Sequence, residues 1–211
     1  FDGSYKKASD IYRLELWGGT GNNRQIFTIG VAPIGPASKQ QLPEIQDYVR
    51  LTGNSDYSLY KYKDKVFGDE SAIYADPSLF SMFDLDLIKG SNAKPFTDDN
   101  SVVITQRTAE KFFGNEDPIG KVITGDNRVN LTVSGVILNI PKSSSLQYDM
   151  IMPISFHFKE QLAQKNDLSN NYGFLSYITF LQIKPGSDLK KLAKQITGVH
   201  LKHRPGDTDA D

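Results

Sequence analysis

The sequence of 211 residues contains no cysteine. Without thiols, the chain cannot form disulfide bonds, thiolate metal sites or a cysteine nucleophile. The absence of cysteine does not identify a compartment, because it suits an oxidising bacterial periplasm and a cytosolic protein equally well.

Long apolar runs are also missing. The nearest approach is Met150–Phe156, which Pro153 interrupts, whereas a membrane-spanning helix needs about 20 apolar residues. The N-terminus carries no signal peptide and begins at Phe1 without an initiator methionine. Because the other end stops in the loop-like run Pro205–Asp211, we expect a piece of a longer protein from which targeting information has been removed.

Neither sign of charge is in excess. Lys and Arg number 24 and Asp and Glu number 25, so no overall field attracts a phosphate backbone, and we expect no nucleic-acid partner. A local basic bias runs from Lys184 to Arg204, and its pattern is typical of the solvated face of a helix. Hydrophobic residues make up 38% of the chain and aromatic residues 11%, which predicts a water-soluble globule.

The N-terminal part of the sequence favours strands around one short helix. Alternation predicts strands over Ala8–Trp17 and Gln25–Val31, and the Gly- and Asn-rich run between them predicts a hairpin turn. A helix is predicted over Pro33–Gln41, and another begins at Asp76–Pro77. Further strands are predicted over Ile45–Leu51, Tyr57–Tyr62 and Glu70–Ala75.

The clearest local signal lies in Ser101–Lys121. Val102–Thr105 is β-branched and predicts a strand, Thr105 can cap the following helix, and Gly114 is the expected left-handed stop. The remaining predicted elements are strands over Val129–Ile140, Leu146–Met152 and Tyr177–Lys184, a helix over Ile154–Gln164, and a last helix from Leu189 that Gly198 is expected to end.

This order of elements predicts an α+β fold in which a split βαβ lobe is interrupted by an inserted, mostly β lobe. We place the first lobe at residues 1–75 and 166–211 and the inserted lobe at residues 76–165.

No set of residues predicts nucleotide binding or catalysis. Gly114–Lys121 superficially matches a phosphate-binding loop, but five residues separate its glycines, Val122 stands where Ser or Thr is needed, and the loop follows a helix. Pairs of acidic residues lie beside Gly, Pro or Asn, where turns and caps explain them better than glycosidase chemistry. These pairs are Asp84 and Asp86, Asp98 and Asp99, and Glu116 and Asp117.

The histidines do not make a metal site. His200 and His203 are spaced i, i+3, yet two ligands are too few for zinc, and we expect two solvated imidazoles near the chain end. His157 stands between two phenylalanines and is expected to pack at a helix edge rather than act as a general base. We therefore predict no catalytic, cofactor-binding or metal site, and a protein that is not an enzyme.

A cluster of tyrosines admits two interpretations. Tyr48, Tyr57, Tyr60 and Tyr62 are either a face that binds a partner, since Tyr is enriched at interfaces, or ordinary strand residues. The sequence leaves both open.

Several segments, taken together and in order, resemble the periplasmic core domain of MacB-type and FtsX-like ABC transporter permeases. The strongest likeness is Ser101–Lys121, where a strand, a helix with an Ala-x-x-x-Phe-type pattern and an Asp-Pro-Ile-Gly-Lys turn follow one another. The last three of the other segments are most similar to versions in Bacteroidetes-type bacteria. These segments are Ala8–Leu16, Leu42–Ile45, Ala75–Gly90, Val133–Pro153 and Tyr177–Leu192.

The resemblance implies a two-lobed domain, with a porter-like split βαβ lobe, between the first and second membrane helices of a permease and outside the cytoplasmic membrane. ATP hydrolysis would belong to a cognate ATP-binding subunit or domain. Family members commonly act as dimers that move substrate or transmit force rather than perform chemistry. The function that the resemblance implies is therefore efflux of a substrate or activation of a periplasmic partner protein. The chain departs from the family pattern in lacking flanking membrane helices and, we expect, a final strand after Pro205.

Two other classes of function are weighed against this one. A free-standing periplasmic ligand-binding or sensor module would show a concave apolar pocket with convergent polar groups. A hydrolase would need a catalytic triad that the sequence does not reveal.

Overall fold

The computed structural model describes residues 7–18, 23, 25–54, 57–68 and 70–204. Strands and helices are mixed along the described chain, as the predicted α+β class requires. The strands are β1 (Ile11–Arg13), β2 (Leu16–Gly18), β3 (Gln25–Phe27), β4 (Gly30–Val31), β5 (Ile45–Asn54), β6 (Tyr60–Tyr62), β7 (Lys65–Phe67), β8 (Ala72–Ala75), β9 (Leu87–Lys89), β10 (Ser101–Thr105), β11 (Val122–Gly125), β12 (Val129–Ile137), β13 (Met150–Pro153) and β14 (Leu175–Ile183). The helices are α1 (Ile34–Gln41), α2 (Ser78–Met82), α3 (Gln106–Phe113), α4 (Ile154–Ala163) and α5 (Leu189–Leu201), and a short 3-10 helix covers Ala8–Asp10.

The chain forms two compact units. Unit 1 comprises residues 1–8 and 52–157, and unit 2 comprises residues 9–51 and 158–211. The lobes predicted from the sequence differ from these units in their boundaries. Strands β6 and β8 lie in unit 1 because they pair with β11 and β13, whereas the sequence pattern placed them before the inserted lobe.

Unit 2 is built on a split βαβ arrangement. Strands β1 and β5 are connected through α1, and β14 lies between them in the sheet, antiparallel to β1. Helices α1 and α5 contact each other, and α1 also contacts β14. The buried apolar cluster of this unit consists of Val31, Ile34, Leu42, Ile45, Leu181, Ile183, Leu192 and Val199.

The last helix of unit 2 is longer than predicted. Asp188 caps α5, and its carboxylate accepts a hydrogen bond from the Lys191 backbone N–H at 3.0 Å. The expectation that Gly198 ends the helix is wrong, because α5 continues to Leu201. Gly198 has none of the positive φ angles that mark a left-handed stop.

Unit 1 contains a mixed sheet with the strand order β8-β13-β10-β12-β11-β6-β7, and β9 also pairs with β12. The pairs β8–β13 and β10–β12 are parallel. Every residue of β8, β10 and β13 is buried, which is typical of strands that are covered on both faces.

The Ser101–Lys121 signal is confirmed within unit 1. Strand β10 leads into α3, and Thr105 caps this helix by accepting a hydrogen bond from the Thr108 backbone N–H at 3.3 Å. Gly114 follows with a φ of 61°. The buried side of α3 includes Phe112, whose ring stacks on Phe67 with 3.9 Å between the centroids.

Several strands differ from their predicted extents. The run Ala8–Trp17 forms two strands rather than one, and between them the Leu14 N–H donates to the Thr179 carbonyl at 2.8 Å. The predicted strand Leu146–Met152 is a strand only from Met150. Strands β7, β9 and β11 were not predicted, since each has only three or four residues. Of the three, β9 also depends on a partner distant in sequence, β12.

Candidate interaction surface

Strands β2 and β3 of unit 2 form a separate two-stranded hairpin. Strands β1 and β4 both pair with β14, and the hairpin formed by β2 and β3 is the excursion of the chain between them. The predicted hairpin is thereby confirmed in its two antiparallel strands, while residues 19–22 of its turn lie outside the described residues.

The hairpin carries apolar side chains in solvent. Trp17 and Ile26 are register partners across the hairpin, and their exposed fractions are 62% and 50%. Phe174 and Leu175 are exposed at the start of β14, where Leu175 lies opposite Val31 of β4. We define the hairpin patch as Trp17 and Ile26, which share one face of the hairpin as cross-strand partners.

Such a patch on a soluble domain usually marks a site of protein contact. Trp is among the residues that contribute most to binding energy at interfaces. On the other face of the hairpin, a Cβ atom at Gly18 would lie only 2.8 Å from Cε2 of Phe27. The ring of Phe27 can therefore lie over the backbone of β2 only where no side chain stands.

The tyrosine cluster is not an exposed face. Tyr57, Tyr60 and Tyr62 are buried, with exposed fractions of 7%, 1% and 8%, and Tyr48 is half-buried beside the guanidinium of Arg50. The interpretation of these tyrosines as a face that binds a partner is therefore wrong, and their interpretation as ordinary strand residues is confirmed.

The acidic turn of the Ser101–Lys121 segment forms a network of ion pairs. Glu116 accepts hydrogen bonds from Lys63 Nζ at 2.6 Å, from Lys121 Nζ at 3.0 Å and from the Tyr62 hydroxyl at 3.1 Å. These contacts, the one with Lys63 first, lower the pKa of Glu116 from its ordinary 4.5 to about 2. The network ties the β6–β7 hairpin to the turn before β11.

The other paired acids also serve turns and caps, as predicted. Asp117 pairs with Lys89 at 2.9 Å, Asp98 accepts from the Asn100 backbone N–H at 2.9 Å, and Asp84 has a left-handed φ of 50°. None of these contacts places two carboxylates around a common reactive point.

The histidines pack against aromatic rings. His203 stacks nearly parallel on Tyr172 with centroids 4.2 Å apart, and His200 lies 6.0 Å from the same ring, so they are not simply solvated imidazoles. His157 is buried on α4 with its ring 5.0 Å from Tyr74. Within the described residues, no three His, Cys, Asp or Glu side chains gather to hold a metal ion.

A cavity of about 590 Å³ lies in unit 2 between the start of α1, the loop before β14 and the end of α5. Its walls include Asn170, Asn171 and Arg204 beside Pro33 and Tyr172. This lining is more polar than the mainly apolar lining of most ligand pockets, and it does not match the pocket that a sensor module would need.

The described part of the chain includes no helix whose length and apolar character would let it cross a bilayer. The described residues thus form a split βαβ unit with an exposed apolar hairpin, and a second unit with a mixed sheet. The chain belongs to the family of MacB-like periplasmic core domains, whose family model matches residues 1–199. The resemblance found in the sequence is thereby confirmed, and the family is one of transporter permeases, not of known enzymes.

Solved structures share the fold at low sequence identity. A domain assigned to a permease protein from Porphyromonas gingivalis has a TM-score of 0.81 and 23% identity, covering 96% of this chain and 84% of that one. The periplasmic region of MacB from Actinobacillus actinomycetemcomitans has a TM-score of 0.66 and 17% identity, covering 95% and 86%.

A third structure, the extracellular domain of the noncanonic ABC-type transporter YknZ from Gram-positive bacteria, has a TM-score of 0.63 and 15% identity, covering 94% of this chain and 97% of that one. No curated protein matches the chain significantly. The predicted α+β, MacB-like fold class is confirmed by these structures.

Proposed function

We propose that this domain couples ATP-driven movement of the permease's membrane helices to efflux of a substrate or to activation of a periplasmic partner protein. The permease lies in the cytoplasmic membrane of a Bacteroidetes-type bacterium, works with a cognate ATP-binding subunit or domain, and acts as a dimer in its full-length form. Membership of a permease family favours this function over a free-standing binding or sensor module.

The observation that carries the proposal is the division of the domain into two compact units. A domain transmits displacement only if its parts move as bodies rather than deform. Unit 1 has three strands with every residue buried, and unit 2 has its own apolar cluster between helices and sheet. Each unit thus has the internal packing that a rigid body needs.

The coupling can be tested by distance measurements on the reconstituted full-length permease with its ATPase. Because this domain has no cysteine, spin labels can be placed at Lys94→Cys in unit 1 and Lys190→Cys in unit 2, both at exposed positions. We expect the distance distribution between them to change when ATP is bound. A matched pair within unit 1, Lys94→Cys and Lys142→Cys, should give the same distribution in both states.

An unchanged distance between the two units through the ATPase cycle would contradict the coupling. A change within the control pair would show that unit 1 deforms, which contradicts movement of the units as bodies.

The hairpin patch is the surface that we propose for the periplasmic partner protein. A photo-crosslinking residue, Trp17→p-benzoylphenylalanine in the full-length permease, should capture one periplasmic protein in cells. The control is Leu138→p-benzoylphenylalanine, because Leu138 is equally exposed at 61% but belongs to unit 1. Equal capture at both positions, or none at position 17, would contradict the assignment of the patch.

A further inference from the structure

The two helices that cover the sheet of unit 2 carry positive charge and no negative charge. Neither α1 nor α5 contains an Asp or Glu. Helix α5 contains Lys190, Lys191 and Lys194; Lys184 and Lys202 stand just outside its ends, as does the capping carboxylate of Asp188. The acidic residues of this part of the chain lie in loops, strands and other helices, so the charge of unit 2 is unevenly distributed.

The lysines of α5 lie on one side of the helix. At about 100° per residue, Lys191, Lys194 and Lys202 all fall within about 120° of Lys190. The buried residues Leu192 and Val199 lie about 160–180° from Lys190, on the side of the helix opposite to it. At about 1.5 Å per residue, Lys190 and Lys202 are separated by roughly 18 Å along the axis.

We define the lysine face as Lys184, Lys190, Lys191, Lys194 and Lys202, all of which are exposed. Within the described residues, no carboxylate forms an ion pair with Lys184, Lys190, Lys191 or Lys194. Lys202 donates instead to the neutral amide of Gln41 at 3.2 Å.

In unit 1 the lysines are divided: Lys65, Lys94 and Lys142 have no ion pair among the described residues, whereas others do. Lys63, Lys89, Lys111 and Lys121 are each engaged with a carboxylate. The lysine face is thus not neutralised by ion pairs with the described residues, and its charge is available to a partner of negative charge.

We infer that the lysine face binds the anionic lipid headgroups of the membrane to which the permease belongs. A planar anionic surface matches a row of lysines that has no aromatic side chain among them, whereas Lys is depleted at protein interfaces. The inference depends on membership of a membrane-permease family and not on the coupling proposed above.

Because the domain is tethered to the membrane by its own chain, a weak attraction between the lysine face and the headgroups is sufficient for binding. A domain held at a membrane by its own chain meets headgroups at a high effective concentration. Each lysine close to an anionic surface strengthens binding by about fivefold, so the lysine face acts through the sum of its members. Salt weakens the attraction, because the Debye length falls to about 3 Å at 1 M ionic strength.

Co-sedimentation of the 211-residue chain with lipid vesicles tests the inference. We expect binding to vesicles of phosphatidylglycerol and phosphatidylcholine at low salt, loss of binding at high salt, and no binding to vesicles of phosphatidylcholine alone. The triple variant Lys190→Gln, Lys191→Gln, Lys194→Gln should lower the partition coefficient about a hundredfold, from about fivefold for each lysine.

The control removes the same charge elsewhere. Lys65→Gln, Lys94→Gln and Lys142→Gln are exposed positions in unit 1, and this triple variant should retain the partition coefficient of the unsubstituted chain. Circular dichroism melting of both variants establishes that they are folded.

Equal losses in the two triple variants would show that only overall charge matters, and would overturn the inference. So would absent binding to the anionic vesicles, or binding to a soluble polyglutamate peptide that exceeds binding to the vesicles and depends on the same lysines. That last result would assign the face to an acidic protein segment.

Discussion

The carboxylate of Glu116 and the ammonium of Lys63, 53 residues apart in the sequence, are joined by a hydrogen-bonded ion pair of 2.6 Å. The pair links the turn after α3 to the β6–β7 hairpin. The Glu116 carboxylate is held in place because it also accepts hydrogen bonds from Lys121 and Tyr62.

This pairing predicts a pH dependence of stability. The pKa of Glu116 is lowered from 4.5 to about 2 in the folded domain, so its contribution is fully present above the unfolded pKa and is lost as the pH falls from 4.5 towards 2. We expect Glu116→Gln to lower the Tm at neutral pH and to reduce the fall in Tm over that acidic range.

The comparison for Glu116 is Glu110→Gln, because Glu110 accepts from a neutral amide, that of Gln106 at 3.0 Å. Its Tm should follow that of the unsubstituted chain with pH. Parallel Tm curves for Glu116→Gln and the unsubstituted chain would exclude the pair as a source of acid sensitivity.

Gly90→Ala should destabilise the fold by more than about 1 kcal/mol. Gly90 has a φ of +96°, and a Cβ atom there would lie 2.5 Å from the Ser134 carbonyl oxygen. Urea denaturation measures the change. Gly53→Ala is the control, since no atom lies within 4 Å of its Cβ position, and a loss of similar size in both variants would refute the steric explanation.

Gly198→Ala should stabilise the domain by about 0.5–1 kcal/mol, because glycine is a poor helix former and the Cβ position is open. Gly114→Ala also meets open space, but Gly114 has a φ of +61°, so this variant should be destabilised. Thermal melts of the two variants separate backbone conformation from crowding. A shift of the same sign in both would show that the distinction is false.

Asp188→Ala should cost about 1 kcal/mol by leaving the N-terminus of α5 without its cap. Asp188→Asn keeps a side-chain oxygen that can accept from the Lys191 N–H and should stay near the original stability. Chemical denaturation compares the two variants. If the Asn variant loses as much as the Ala variant, charge rather than capping stabilises this end of the helix.

The elements that the sequence predicts best are those whose signals are local. Thr105 and Gly114 frame α3 with a cap and a glycine of positive φ, and both can be predicted from residue type alone. The prediction that Gly198 ends α5 was wrong, because a glycine stop requires a left-handed backbone, and here α5 continues past Gly198.

What the sequence did not predict depends on long-range pairing. Strand β6 pairs with β11 through Lys61 and Thr124, and this pairing, rather than the order of elements, places residues 60–62 in unit 1. Strand β9 likewise depends on β12, with which it pairs across a long stretch of sequence.

The sequence contained a sign of the hairpin patch, but the alternation of residues alone did not identify it as an exposed surface. Trp17 falls on the side of the predicted strand that Arg13 and Glu15 mark as outward, so an outward aromatic was readable there. The tyrosines of β6 are aromatic like Trp17, but they are buried, because the residues that surround them come from the turn before β11. Residue type does not distinguish the two cases.

The split arrangement of unit 2 imposes an order on biogenesis. The strands that flank β14 are translated early, whereas β14 itself ends only at Ile183. The flanking strands therefore leave the translocation machinery well before β14. Most of unit 1 is contiguous, from residue 52 to residue 157, and can complete its sheet in the meantime. Unit 2 can therefore complete its sheet only after β14 has followed, and until then β1 lacks its pairing partner.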